Sequence, residues 1–163
     1  MYLERAYATP GPVPPDTVPR PYGATPLAVT PGEIVVAAVA SGEVIWLGFQ
    51  AVDRGSPATV RVRIDESHPI DAISGEAWDD SLSDDPRNFL VCPPDSRLAG
   101  RPVRGGRRLF GSNVLERFTL FTWGDAPVAV TVQLVRPDEF ARITGRVPPP
   151  LDPDAAFTGR RLP

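Results

Sequence analysis

The chain contains no lysine, and cysteine, histidine and methionine occur once each, as Cys92, His68 and Met1. Each scarcity removes a class of structure or chemistry. One cysteine cannot form a disulfide within a chain, and a structural zinc site takes about four Cys/His ligands. Any Ser-His-Asp triad or thiol–imidazole pair would have to use His68, which lies between Ser67 and Pro69 in a stretch that reads as a loop. Cys92 follows Phe89-Leu90-Val91 and precedes Pro93-Pro94, an ordinary place for a small buried residue. No Gly-x-Ser-x-Gly elbow, phosphate loop or dinucleotide fingerprint occurs. No apolar run approaches the roughly 20 residues of a membrane span. The opening Met1-Tyr2-Leu3-Glu4-Arg5 lacks the apolar stretch of a secretory signal. The net charge of -3 argues against general nucleic-acid binding. The expectation is a non-enzymatic protein without a nucleic-acid or membrane partner.

Proline, by contrast, is abundant, with 21 residues in 163. Eight fall in residues 1–31 and six in 137–163. Proline fixes φ and removes a backbone donor, so neither end reads as a regular helix or a central strand. The expected organisation is an extended N-terminal arm over 1–31, a folded domain over 32–136, and a short helix with a proline-rich tail over 137–163. A disordered spacer is the alternative for such composition. The arms nevertheless carry Tyr2, Leu3, Tyr7, Val13, Val18, Tyr22, Leu27 and Val29, and later Leu151, Phe157 and Leu162. Tyr2, Leu3, Tyr7 and Tyr22 are the expected apolar anchors of an N-terminal arm laid over a neighbouring subunit.

The middle of the chain reads as antiparallel β. Glu33 to Ala40 is rich in Val and Ile and ends at Ser41-Gly42. In Glu43 to Val52, Ile45, Leu47, Phe49 and Ala51 share one face, while Val44 and Trp46 make the other apolar too. Such a strand is central in a sandwich or has one face under an arm. Asp53-Arg54-Gly55-Ser56-Pro57 is a turn signal. Thr59 to Ile64 alternates, with Val60, Val62 and Ile64 inward and Arg61 and Arg63 outward. Asn88 to Cys92 is a short strand. Arg117 to Trp123 and Val128 to Val135 form a hairpin across Gly124-Asp125-Ala126-Pro127. Pro137 to Ile143 reads as a helix, with proline in its first turn and Gly145 past its end. The fold class expected is all-β, an antiparallel β-sandwich or jelly-roll-like barrel.

Two charge blocks stand out. Residues 65–85 hold eight acids and no arginine; residues 97–108 hold five arginines and no acid. Solvated loops are the plain explanation. The functional one pairs Arg101, Arg104, Arg107 and Arg108 with the acidic loop of the next copy, or with the same chain's loop. Asp79, Asp80, Asp84 and Asp85 are candidate ligands for calcium, which prefers oxygen donors, although the spacing is not that of an EF-hand. Trp78, within this loop, is the candidate exposed ring for stacking on a sugar. Trp46 and Trp123, at strand positions, read as core. Gly105-Gly106 reads as a hairpin turn.

A compact β domain with two proline-rich arms resembles, in layout over the whole chain, the small accessory proteins of tailed-phage-type particles, such as capsid decoration proteins and head-spike bases. That resemblance implies a structural role without cofactor, protein subunits of a larger assembly as partners, a homo-oligomer with a trimer favoured, and location in a virion or phage-like particle. The alternative is a carbohydrate-binding β-sandwich, calcium-dependent or not, using Trp78 and the nearby acids.

Overall fold

The computed structural model describes residues 1–15, 17–50, 57–123 and 127–152. The turns expected at 53–57 and 124–127 and the residues Phe157 and Leu162 lie wholly or mostly outside them. In chain order the strands are β1 (Tyr2–Tyr7), β2 (Gly23–Ala24), β3 (Leu27–Val29), β4 (Val35–Ala38), β5 (Glu43–Gly48), β6 (Ala58–Ile64) and β7 (Ile70–Asp71). They continue with β8 (Leu90–Cys92), β9 (Arg97–Leu98), β10 (Gly100–Val103), β11 (Gly106–Leu109), β12 (Arg117–Trp123) and β13 (Ala129–Val135). The helix α1 spans Pro137–Thr144.

The larger sheet runs β3-β4-β13-β12-β6-β7, with β8 also paired to β6. Its centre follows from period-2 alternation. The register sets Ile64 beside Phe118, Phe118 beside Val132 and Val132 beside Val35. One row of side chains therefore crosses four strands on one face. Removing a ring such as that of Phe118, fully buried in this row, costs about 3–5 kcal/mol. The β12–β13 pairing expected from sequence is present. The sheet is mixed rather than purely antiparallel, because β4 lies parallel to β13.

The smaller sheet runs β2-β1-β5-β9. Neither sheet closes on itself among the described residues, so the fold is all-β with open sheets and one short helix. Leu3, Ile45, Leu47 and Leu98 of the smaller sheet meet Val62, Ile64, Phe118, Leu120 and Val132 of the larger one in a single core. The Ser41-Gly42 turn carries the chain from one sheet to the other, with Gly42 at φ 81 and the Glu43 amide bonded to the Ala40 carbonyl.

Residues 1–31 differ from the expected arm. Three strands lie within them, and β1 pairs along its whole length with β5 of the same chain. Leu3, expected to anchor on a neighbour, is 2% exposed in its own chain's core. The prolines explain why both facts hold at once: Pro10, Pro12, Pro14, Pro15, Pro19 and Pro21 fall between β1 and β2, where no ladder donor is needed. This strap crosses the outer face of the smaller sheet. Val13 and Val18 pack there with Ala6, Val44, Trp46, Ala99 and Leu109. The Val13 amide and carbonyl both bond to Arg107 on β11. The doubly apolar strand β5 thus has one face under an arm, and the arm belongs to its own chain.

The helix α1 forms where the sequence places it. Pro137 occupies the first turn with Asp138 and Glu139, which suit the positive end of the helix. Gly145 closes it at φ 69, its amide bonded to the Ala141 carbonyl. Phe140 is the buried side chain, packed with Val36, Ala38 and Val135. Beyond the helix the chain returns to β1, where the Pro149 carbonyl accepts from Arg5 Nη1 at 3.0 Å.

Candidate functional site

The acidic loop is organised around one guanidinium. Arg61 was expected to point to solvent; it is 1% exposed, because residues 71–88 fold over that face of β6. Its Nη1 donates to the carbonyls of Asp79 and Ser81 at 2.8 and 2.6 Å. Nε donates to the Asn88 carbonyl at 3.2 Å, and Nη2 to Asp71 Oδ2 at 3.1 Å. Asp71 is itself buried, and its other oxygen accepts from the amides of Ile73 and Ser74. The pairing and hydrogen bonding of both charges offset the cost of taking them out of water.

That arrangement decides the fate of the residues predicted beside it. Trp78 is half-buried, with the Arg61 guanidinium 4.0 Å from its ring centroid and Phe121 packed at 5.3 Å. Its Nε1 donates to Asp80 Oδ1 at 3.0 Å. The ring expected to be an open sugar platform therefore has a cation across it. Asp79 accepts from Ser81, and those hydrogen bonds hold its carboxyl below the usual range. Asp84 and Arg87 form an isolated backbone β-bridge, and the Asp84 and Asp85 residues are exposed. Asp79, Asp80, Asp84 and Asp85 do not converge: no group of three or more His, Cys, Asp or Glu side chains suited to a metal forms among the described residues.

The arginine block divides in a similar way. Gly105, at φ 87, turns the β10–β11 hairpin, which places Arg104 exposed at its tip. Arg101 Nη1 pairs with Glu66 Oε1, so the acidic and basic blocks meet within one chain. Arg107 donates to the carbonyls of Ala72, Ile73 and Gly100 at 3.1, 3.2 and 2.7 Å. Arg108 lies 3.7 Å from Glu116. Glu116 is 3% exposed and bonded to the Gly111 amide at 2.8 Å; burial raises its pKa. Of the four arginines expected at a subunit contact, Arg101, Arg107 and Arg108 have partners in their own chain.

A cleft of about 400 Å³ opens on the other side, between the outer face of the smaller sheet and the strap. Tyr2 and Glu4 of β1, Trp46 of β5 and Arg97 of β9 line it with Val18, Pro19, Arg20 and Pro21. The register brings the sheet residues together: Tyr2 stands beside Gly48, Glu4 beside Trp46 and Gly48 beside Arg97. Gly48 is required for this packing, since a Cβ there would fall 2.2 Å from the Tyr2 ring. The Tyr2 ring meets Trp46 edge-on, with centroids 5.8 Å apart. Arg97 sits 5.5 Å over the Trp46 ring and Arg20 5.5 Å over Tyr22. Neither guanidinium has a carboxylate partner among the described residues. Glu4 Oε2 and Trp46 Nε1 are buried polar atoms without a hydrogen-bond partner. Burial raises the pKa of Glu4.

Of the expected arm anchors, Tyr2 lines this cleft, while Tyr7 and Tyr22 pack edge-to-face on each other at 5.0 Å. Glu4, Arg20, Trp46 and Arg97 escape a reading by local motif, because they come from four separate segments. The available signal is the polar and aromatic mixture at alternate positions of β1. His68 is exposed with Ser67 Oγ 3.4 Å from Nδ1. Cys92 is buried and lines a small apolar cavity of about 140 Å³ with Phe49, Val60 and Leu120. Comparison with family models, with curated proteins and with solved structures finds no match.

Proposed function

We propose that the protein is a non-enzymatic interaction module whose two sheets form a β-sandwich and which joins a larger assembly, as a decoration or a spike or fibre attachment component of a phage-like particle. The observation that carries the reading is the β3 edge of the larger sheet, which has no outer strand among the described residues. Flanking β3, the Pro26 carbonyl accepts from the Ala38 amide and the Thr30 amide donates to the Ile34 carbonyl, so antiparallel alternation turns the main chain of Leu27 and Val29 outward. Their side chains are exposed as well, Val29 at 72%. An uncharged apolar edge is a template for a strand of another subunit.

This reading expects homo-oligomers joined through segment 27–29, with three copies favoured by the resemblance in layout rather than by the edge itself. Light scattering of the purified chain should give a multiple of 17.6 kDa. Val29→Lys should return it to one copy with its far-ultraviolet circular dichroism unchanged. A wild-type chain that scatters as a monomer at high concentration removes the homo-oligomer from this proposal. A second reading, a carbohydrate-binding domain, is favoured by the cleft at Tyr2 and Trp46 rather than by Trp78.

A further inference from the structure

We propose that the cleft between the strap and the smaller sheet binds a carboxylated sugar ring, as in an anionic glycan of the uronate type. The inference rests on the carbohydrate reading of the cleft and is independent of the assembly reading.

Three features select this ligand. The first is charge. Two guanidinium groups, Arg20 and Arg97, border the cleft without carboxylate partners among the described residues, against one carboxyl, Glu4. Planar guanidinium groups match a carboxylate bidentately, and each is held by an aromatic ring that restricts it. The second is the lining. Tyr2, Pro19 and Pro21 offer flat C–H and ring surface, suited to the apolar face of a pyranose. Glu4 lines the cleft beside them.

The third feature separates a sugar from an acidic peptide. Peptides recognised by sheets add main-chain hydrogen bonds at an open edge. Here β1 is paired with β5 along its length and with β2 at Glu4 and Arg5, and β5 is paired with β9 at Leu47 and Gly48. Recognition at the cleft falls to side chains, which suits a ring dense in hydroxyls with one carboxylate. The volume of about 400 Å³ is at the small end of ligand sites and matches one or two sugar units rather than a long chain.

The test is calorimetric titration of the full chain with tetragalacturonate, with a neutral galactose tetramer and with tetraglutamate. Tetragalacturonate should bind at least about tenfold more tightly than the neutral tetramer, which lacks the charge-assisted hydrogen bonds, and than tetraglutamate, which lacks the pyranose ring. Arg97→Ala and Arg20→Ala should each weaken it about tenfold or more, with unchanged melting temperatures. Arg104→Ala, at the hairpin tip, should leave it unaltered. Equal binding of the neutral tetramer overturns the acidic-sugar inference and leaves the carbohydrate reading standing. Equal binding of tetraglutamate overturns both in favour of a general anion site. Binding of none of the three, or binding indifferent to both arginine changes, also removes both.

Discussion

Two tryptophan–arginine pairs sit on opposite sheets and have been completed differently. Around Trp78, Arg61 has its donors met by Asp71 and by carbonyls of the loop that covers it. Around Trp46, which is 3% exposed, Arg97 lies over the ring with no carboxylate partner among the described residues, and Glu4 and Trp46 each keep a buried polar atom unbonded. The same pair of side chains holds a loop in place at one site and leaves unmet bonding capacity beside a cavity at the other. Buried polar groups in native proteins are usually bonded; two of the unbonded atoms belong to residues that line the cleft, and none belongs to the charge-dense loop. The charge-dense loop is the closed site.

The comparison breaks most visibly at Arg61. Arg61→Met leaves Asp71 buried without its cation, and breaking one side of a buried pair costs about 3–5 kcal/mol. Urea denaturation should show that loss, and limited proteolysis should cut first within residues 76–88. An Arg61 variant as stable as the wild type would show that the loop is held by other contacts.

The strap gives a smaller effect. A Cβ on Gly106 would fall 2.2 Å from the Val13 carbonyl, and Gly106 sits at φ 149. Gly106→Ala should therefore detach the strap from the β10–β11 hairpin at a cost of about 1–3 kcal/mol. Amide hydrogen exchange should speed up at Val13 and Arg107 while the β6, β12 and β13 amides stay protected.

The smallest effect is at Glu4. Its folded pKa is raised by burial, so its protonated form favours the native state. The resulting stability is full below the unfolded pKa near 4.5 and is lost as pH rises through the folded pKa. Glu4→Gln should flatten the stability–pH curve across that window, measured by urea midpoints from pH 3.5 to 7. An unchanged slope would assign the window to Glu116, which is shifted in the same direction.

Much of the larger sheet was legible because β6, β12 and β13 alternate and carry few breakers. The helix was legible from Pro137 and Gly145. The smaller sheet was harder to see. β1 lies in a proline-rich region, but the prolines fall after Tyr7, and a count over residues 1–31 blends strand with strap. Arg61 alternates as a solvent-facing residue should; its burial depends on a loop whose path no local pattern encodes. The cleft was illegible for a related reason: residues 2, 4, 20, 46 and 97 meet only through strand register.

The parallel contact between β4 and β13 bears on the order of events in folding. It joins Val35 to Val132 and Ala38 to Val135, residues separated by nearly the whole length of the described domain. During synthesis β1 can find β5 once about fifty residues have emerged, whereas β4 must wait for the chain past position 135. Long-range pairings of this kind slow folding, because loop closure precedes the contacts that reward it. The β1–β5 pair and β2 should therefore form early, β9 and the strap's bonds to Arg107 should follow once β11 has emerged, and the β4 edge that meets β13 should stay open until position 135 is past.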